Sequence, residues 1–368
     1  MSSRAADRLG RVAGPDTVPP RRVPQGFRPG LSALCLLACL AMAGCAEPQG
    51  ELFEPIDPPV VWPGGAEPAR IRLVGAIAGS EDLNAGRSGG ETFKAALRGP
   101  RLPIRLSSPH SVAISDARLL AVADVGLAGV HVIDLAARTH TLVSGFGDQR
   151  FEAPVGVCWA GRRLFVTDAA LGEVVELDAA GAFHGRFGAD ELKRPVGITY
   201  VASRERLYVV DGGAHGIVVF DLDGTEVNRF GEHGAGEGEF NYPSHICWDG
   251  DQRLCVADSA NFRIQLFDLD GGFIRAIGSK GDAAGNFSLP KGVAFDSDHH
   301  IYVVDAHFEN VQIFSDEGQL LLAFGAEGSA LGSFSLPAGL AIDHNDRIWV
   351  ADSANHRLQV FDYLRDAG

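Results

Sequence analysis

From residue 109 onward the apolar positions come in short runs separated by turn residues. In one stretch the runs are His245–Trp248, Leu254–Ala257, Arg263–Asp268 and Phe273–Ile277. Val, Ile, Leu, Phe and Tyr crowd these runs, while Asp, Gly, Asn and Ser fill the gaps between them. That pattern predicts four short strands joined by hairpin turns. The group recurs at Pro290–Gly325 and from Pro337 onward, with looser copies starting at Pro109, Pro154 and Pro195. Six aspartates mark the same point of each copy: Asp124, Asp168, Asp211, Asp258, Asp305 and Asp352, separated by 44, 43, 47, 47 and 47 residues. A fixed period of this size is the mark of a repeat architecture. A small sheet that is apolar on both faces cannot stand alone in water, and radial stacking buries both faces. The expected fold is all-β, a six-bladed β-propeller of four-stranded blades.

The sixth copy ends at Leu364 after three strands, which would leave an open edge. The segment Ile71–Gly79 resembles the fourth run of the other copies and is expected to pair on the outside of blade six, closing the ring. Ser80 to Ser108 is then a 29-residue excursion carrying Arg87, Lys94, Arg98, Arg101 and Arg105. It reads either as a surface loop or as a lid over one face.

The repeats resemble the NHL repeat family. Asp352-Ser353-Ala354-Asn355-His356-Arg357-Leu358 matches the segment that names the family, and Asp258 to Ile264 repeats it with Phe262 for His. The family's Gly-rich linker, ending in Phe-x-x-Pro, runs over 231–243, 278–290 and 325–337, with Phe240, Phe287 and Phe334 before each proline. The resemblance covers about residues 70–364, and the first three copies lack that linker. It implies the propeller but no single activity, because one fold hosts many functions.

Composition narrows the picture. The chain has 368 residues, 46 of them Gly, and 8% aromatics, which suits a turn-rich all-β domain. Formal charge is −15, and removing the +4 of residues 1–44 (six Arg against Asp7 and Asp16) leaves the remainder near −19. An acidic body repels phosphate backbones, so nucleic acid is not an expected partner. Leu31–Gly44 is a 14-residue apolar run behind Arg21, Arg22 and Arg28. It is too short to span a bilayer and has the layout of a secretory leader. Its end, Met42-Ala43-Gly44-Cys45, resembles the lipobox of bacterial lipoproteins, with Met42 in place of the usual Leu. The resemblance implies a signal peptide over 1–44 and a lipid attached at Cys45, enough for stable membrane anchoring. Ala46 in the next position favours the outer membrane, facing the periplasm. Residues 45–69 are Pro-rich and read as an extended tether between anchor and propeller (70–368).

The candidate chemistry is sparse. Each repeat Asp ends a second strand and enters a tight turn, where its carboxylate accepts turn N–H bonds and faces a nearby base such as Arg263 or Arg357. That role specifies blades. His110 and His245 begin the first strands of blades one and four, which face each other in a ring of six, beside the channel mouth. Some NHL-like enzymes, the peptidyl-hydroxyglycine lyases, hold zinc through histidines near strand starts, and Pro109-His110-Ser111-Val112-Ala113 resembles one such segment. A catalytic zinc takes three protein ligands and an open position. Only two candidates are present, since Val155, Val196, Lys291 and Ala338 occupy the places equivalent to His110. The expectation is two partly exposed, hydrogen-bonded histidines, with no metal and no cofactor. His215, His307 and His356 read as turn residues, and His299-His300 as a hairpin tip. Cys247 and Cys255 fall on neighbouring strands of one hairpin, either bridged after export or as two thiols. Cys158 reads as a buried thiol.

Three functions fit. The first is a lipid-anchored, non-enzymatic binding scaffold in the cell envelope, presenting a face to a protein or a small ligand. The second is a metal-dependent channel enzyme of the lyase or lactonase kind. The third is a subunit of an envelope assembly. Gly156, Gly197, Gly292 and Gly339 on the first strands predict a tightly packed channel wall, which counts against the enzyme.

Overall fold

The computed structural model describes residues 51–84, 102–116 and 118–365. The anchor residue Cys45, the leader, and the basic residues Arg87, Lys94, Arg98 and Arg101 of the expected lid lie outside the described residues.

Six antiparallel sheets form the body, and in blades one to five the strands follow chain order from first to fourth. Blade four shows the pattern, with Pro243–Trp248, Arg253–Asp258, Arg263–Asp268 and Phe273–Ile277. The first strands touch one another in succession, and Pro337–Ile342 of blade six returns to Pro109–Ile114 of blade one. The first strands therefore ring the axis and the ring is closed. Six apolar clusters fill the six gaps between adjacent blades. Second and third strands have apolar side chains on both faces because each face meets a different neighbour. Val256 packs toward blade three while Cys255 and Ala257 pack toward blade five.

Ile71–Ile77 forms the outermost strand of the four-stranded part of blade six, pairing with Arg357–Tyr363. Its register slips by one residue at Val74: Leu73 opposes Phe361, but Gly75 opposes Val360. The same slip occurs in the fourth strands of blades two to five, at His184, Val227, Ile274 and Leu321. A bulge of one residue moves the apolar set to the opposite face of the strand. Ile71 and Leu73 thus enter the core between blades five and six, and Ile77 enters the core between blades six and one. The N-terminal strand repeats the fourth strand of a blade down to its irregularity.

The described part of the Pro-rich stretch packs against blade six. Val61–Trp62 pairs with the outer edge of the closing strand, making a fifth strand. The Trp62 ring meets Phe324 and Phe361 at centroid distances of 5.7 and 5.8 Å. Phe53 lies over Gly75, in the space that a Cβ there would need. Proline does not prevent this, because an edge needs few backbone donors, and covering the edge blunts it against foreign strands.

The three Gly-rich linkers dock through one device. Gln265, Gln312 and Gln359 accept the N–H of Gly238, Gly285 and Gly332 through Oε1, and their amides donate to the linker carbonyls of Glu239, Asn286 and Ser333. Phe240, Phe287 and Phe334 are then fully buried between blades. Gly278 shows why glycine opens the linker: its φ is +85° and the Phe287 ring fills the space of a Cβ.

Candidate functional site

All six repeat aspartates are fully buried. Asp211 accepts N–H bonds from Lys193, Arg194, Gly213 and Ala214, and Asp305 from Ser288, Leu289, His307 and Phe308. Each carboxylate ties the segment entering its blade to the turn between second and third strands. Asp258 and Asp352 also pair with Arg263 and Arg357, both at 2.8 Å. These groups hold the rim of the axial mouth in shape and are saturated in doing so.

Sequence reading missed a polar cluster in blade one. His131 takes the place of the linker-binding glutamine, seven residues after Asp124, and is fully buried. Its Nε2 lies 3.2 Å from Asp124 Oδ2 and its Nδ1 lies 2.8 Å from His140 Nε2. Burial opposes ionisation of Asp124, yet the bonds from His131 and the Ser107 and Ser108 amides bring it below the ordinary carboxylate value. Burial, helped by His131, lowers His140 to about 4. The available signal was the break in the glutamine pattern at position 131.

Around the axis the first strands pack backbone against backbone. A Cβ on Gly197 would meet Ser244 O at 2.7 Å, on Gly292 Ala338 O at 2.6 Å, and on Gly339 His110 O at 2.6 Å. These glycines bring neighbouring blades together at the channel wall. Ser111 and His245 occupy the same place in blades one and four.

His110 and His245 meet across the axis, with ring centroids 5.4 Å apart and planes 19° from parallel. His110 lines a cavity of about 590 Å³ on one side, together with Val155, Val196, Arg194, Tyr242 and Lys291. His245 lines a smaller cavity of about 230 Å³ on the other. The stacked pair therefore stands between the two. His110 is partly exposed, whereas His245 is 8% exposed. His110 Nδ1 lies 3.2 Å from Val155 O, and His245 Nδ1 lies 3.3 Å from Ser244 Oγ. Burial, then the charge of Lys291, lowers His110 to about 4. Burial, then His110, holds His245 well below the usual histidine value. Both rings are neutral at pH 7. Burial, then repulsion from Arg194, lowers Lys291 as well.

Among the described residues, no three His, Cys, Asp or Glu side chains gather as a metal site would need. Cys247 and Cys255 lie directly opposite each other in the ladder as free thiols, and burial, then the contact with Cys255, raises Cys247 well above the usual thiol value. Cys158 is a buried free thiol, raised by burial. No helix among the described residues is long and apolar enough to cross a membrane.

No curated protein matches the chain. Solved structures share its fold at low identity. An auxiliary nutrient binding protein from Bacteroides thetaiotaomicron superposes with a TM-score of 0.57 at 13% identity, covering 71% of this chain and 70% of that one. A gluconolactonase from Xanthomonas campestris gives 0.54 at 16% identity, covering 70% and 87%. Virginiamycin B lyase from Staphylococcus aureus gives 0.51 at 15% identity, covering 70% and 96%. These likenesses speak to fold alone. The NHL repeat family matches residues 334–361. The chain is thus a closed six-bladed β-propeller whose residues 334–361, in blade six, match the NHL repeat.

Proposed function

We propose that this propeller is a lipid-anchored binding module of the cell envelope that takes a small ligand into its axial mouth. The observation that carries the reading is the cavity of about 590 Å³, floored by His110 against His245 and walled mainly by apolar side chains. Ligand pockets are of this size, mostly apolar, with a few placed polar groups. The lipobox-like Met42-Ala43-Gly44-Cys45 supports the anchor, and the name of one similar propeller, an auxiliary nutrient binding protein, agrees with the role. A small-molecule survey by thermal shift tests the site. Ligands of the mouth raise Tm of the native chain but not of Ala153→Trp, which fills the cavity. No stabilising compound, or equal stabilisation of both, counts against the site. Radiolabelled palmitate should enter the native chain and not Cys45→Ser, with the variant released to the soluble fraction.

A second reading, an enzyme of the lyase or lactonase kind, is favoured by one observation: the neutral imidazole of His110 lines the cavity floor, where a general base would sit. Turnover of a lactone panel that disappears in His110→Gln would establish it.

A further inference from the structure

The charge around the axial mouth carries the reading one step further. The chain as a whole is at −15, yet the cavity is lined by Arg194 and Lys291 and by no carboxylate. Among the described residues, neither Asp211 nor Asp305 forms an ion pair with either cation; their oxygens are taken up by four backbone N–H groups each. Lys291 stands at the second position of its first strand, where the other blades carry His110, Val155, Val196, Ser244 and Ala338. The fold does not call for a lysine there, because five blades close without one. Its ammonium has no ion pair or hydrogen bond among the described residues, and Arg194 is near enough to repel it. Lys291 is a partly buried ammonium beside an apolar wall with a second cation, the exposed Arg194, lining the same cavity, an arrangement that an anion would relieve.

We infer that the axial mouth binds a small organic carboxylate, its head group held between Arg194 and Lys291 and its apolar body against Val125, Val155, Val196 and Leu289. This rests on the mouth being the binding site. The planar fork of an arginine matches a carboxylate. A free phosphate would need many more donors than these walls offer, whereas an acyl or aryl carboxylate uses the apolar surface and both charges.

The test is displacement of the fluorescent probe 8-anilinonaphthalene-1-sulfonate from the full chain. Competitors are hexanoate, benzoate, the matched amides and inorganic phosphate. The carboxylates should displace the probe at least about tenfold better than their amides. Lys291→Met should weaken hexanoate by at least about tenfold, about 1.4 kcal/mol, and leave hexanamide unchanged. Arg194→Gln, at an exposed side chain, should do the same and serves if Lys291→Met folds poorly. Equal displacement by acid and amide, an unchanged affinity in both variants, or no displacement by any carboxylate overturns the inference while leaving the mouth as a site for something else. Phosphate competing better than hexanoate overturns it in favour of a phosphate ligand. Probe binding that survives Ala153→Trp puts the site elsewhere, and both readings fall together.

Discussion

The closing strand offers a quantitative test, because one strand serves two separate cores. Leu73 is 3% exposed in the core between blades five and six, and Ile77 is 0% exposed in the core between blades six and one. Truncating either to Ala removes three buried carbons, worth about 0.8 kcal/mol each in transfer, and leaves a cavity. The expected loss is about 2–5 kcal/mol per site. The two positions are four residues apart on an extended strand, about 13 Å, and share no core cluster. Their effects should therefore add within about 0.5 kcal/mol. The double variant would lose about 4–10 kcal/mol, most of the stability of an ordinary domain. Urea melts of the two single variants and the double, followed by tryptophan fluorescence, measure all three. A loss below about 1 kcal/mol for either single variant, or strong coupling between them, would refute the two-core account of the bulge. A chain lacking 71–79 that melts as the native chain does would refute closure altogether.

Other expectations follow from the same structure. Asp258→Asn leaves Arg263 half-buried without its charge partner and should cost about 3–5 kcal/mol, read as a shift in urea midpoint with unchanged slope; Arg263 bonds to Asp258 Oδ2 at 2.8 Å. Gly339→Ala would press a methyl to 2.6 Å from His110 O, and should cost about 1–3 kcal/mol through overpacking; a neutral result would mean the channel wall is looser than described. His110 titrates near 4 in the fold, facing Lys291, Arg194 and His245, against about 6.5 when unfolded. Since the folded value is depressed, stability is fully present above about 6.5 and falls as pH drops toward 4, by about 3 kcal/mol from this residue. His110→Gln should flatten that part of the pH–stability curve.

The strand pattern, the six-fold count and the closing strand were legible because they rest on period and burial, which a sequence displays directly. The turn aspartates were legible for the same reason, since one short acid recurred at one phase. What escaped were features that depend on which blade faces which. His110 and His245 sit one residue out of phase along their strands, and only ring geometry brings their imidazoles into a stack. Lys291 looked like one more filler at the position of His110 until the closed ring set it beside Arg194. His131 and His140 lie nine residues apart on two strands of one hairpin, a pairing that register alone decides. The packing of Val61–Trp62 was hidden by proline, whose abundance suggests a spacer unless an edge strand waits to be covered.

Arg72 and Asp362 join hands across 290 residues of chain, and the seam they mark is formed by the earliest and the latest parts of the propeller to leave a ribosome. Such a contact cannot form until synthesis is nearly over, and bringing distant segments together slows folding. Until then both flanks of the unfinished ring lie bare to other chains. A cell making this protein has to shelter it for the whole of that interval, so demand for chaperones should fall most heavily on the last few strands to appear.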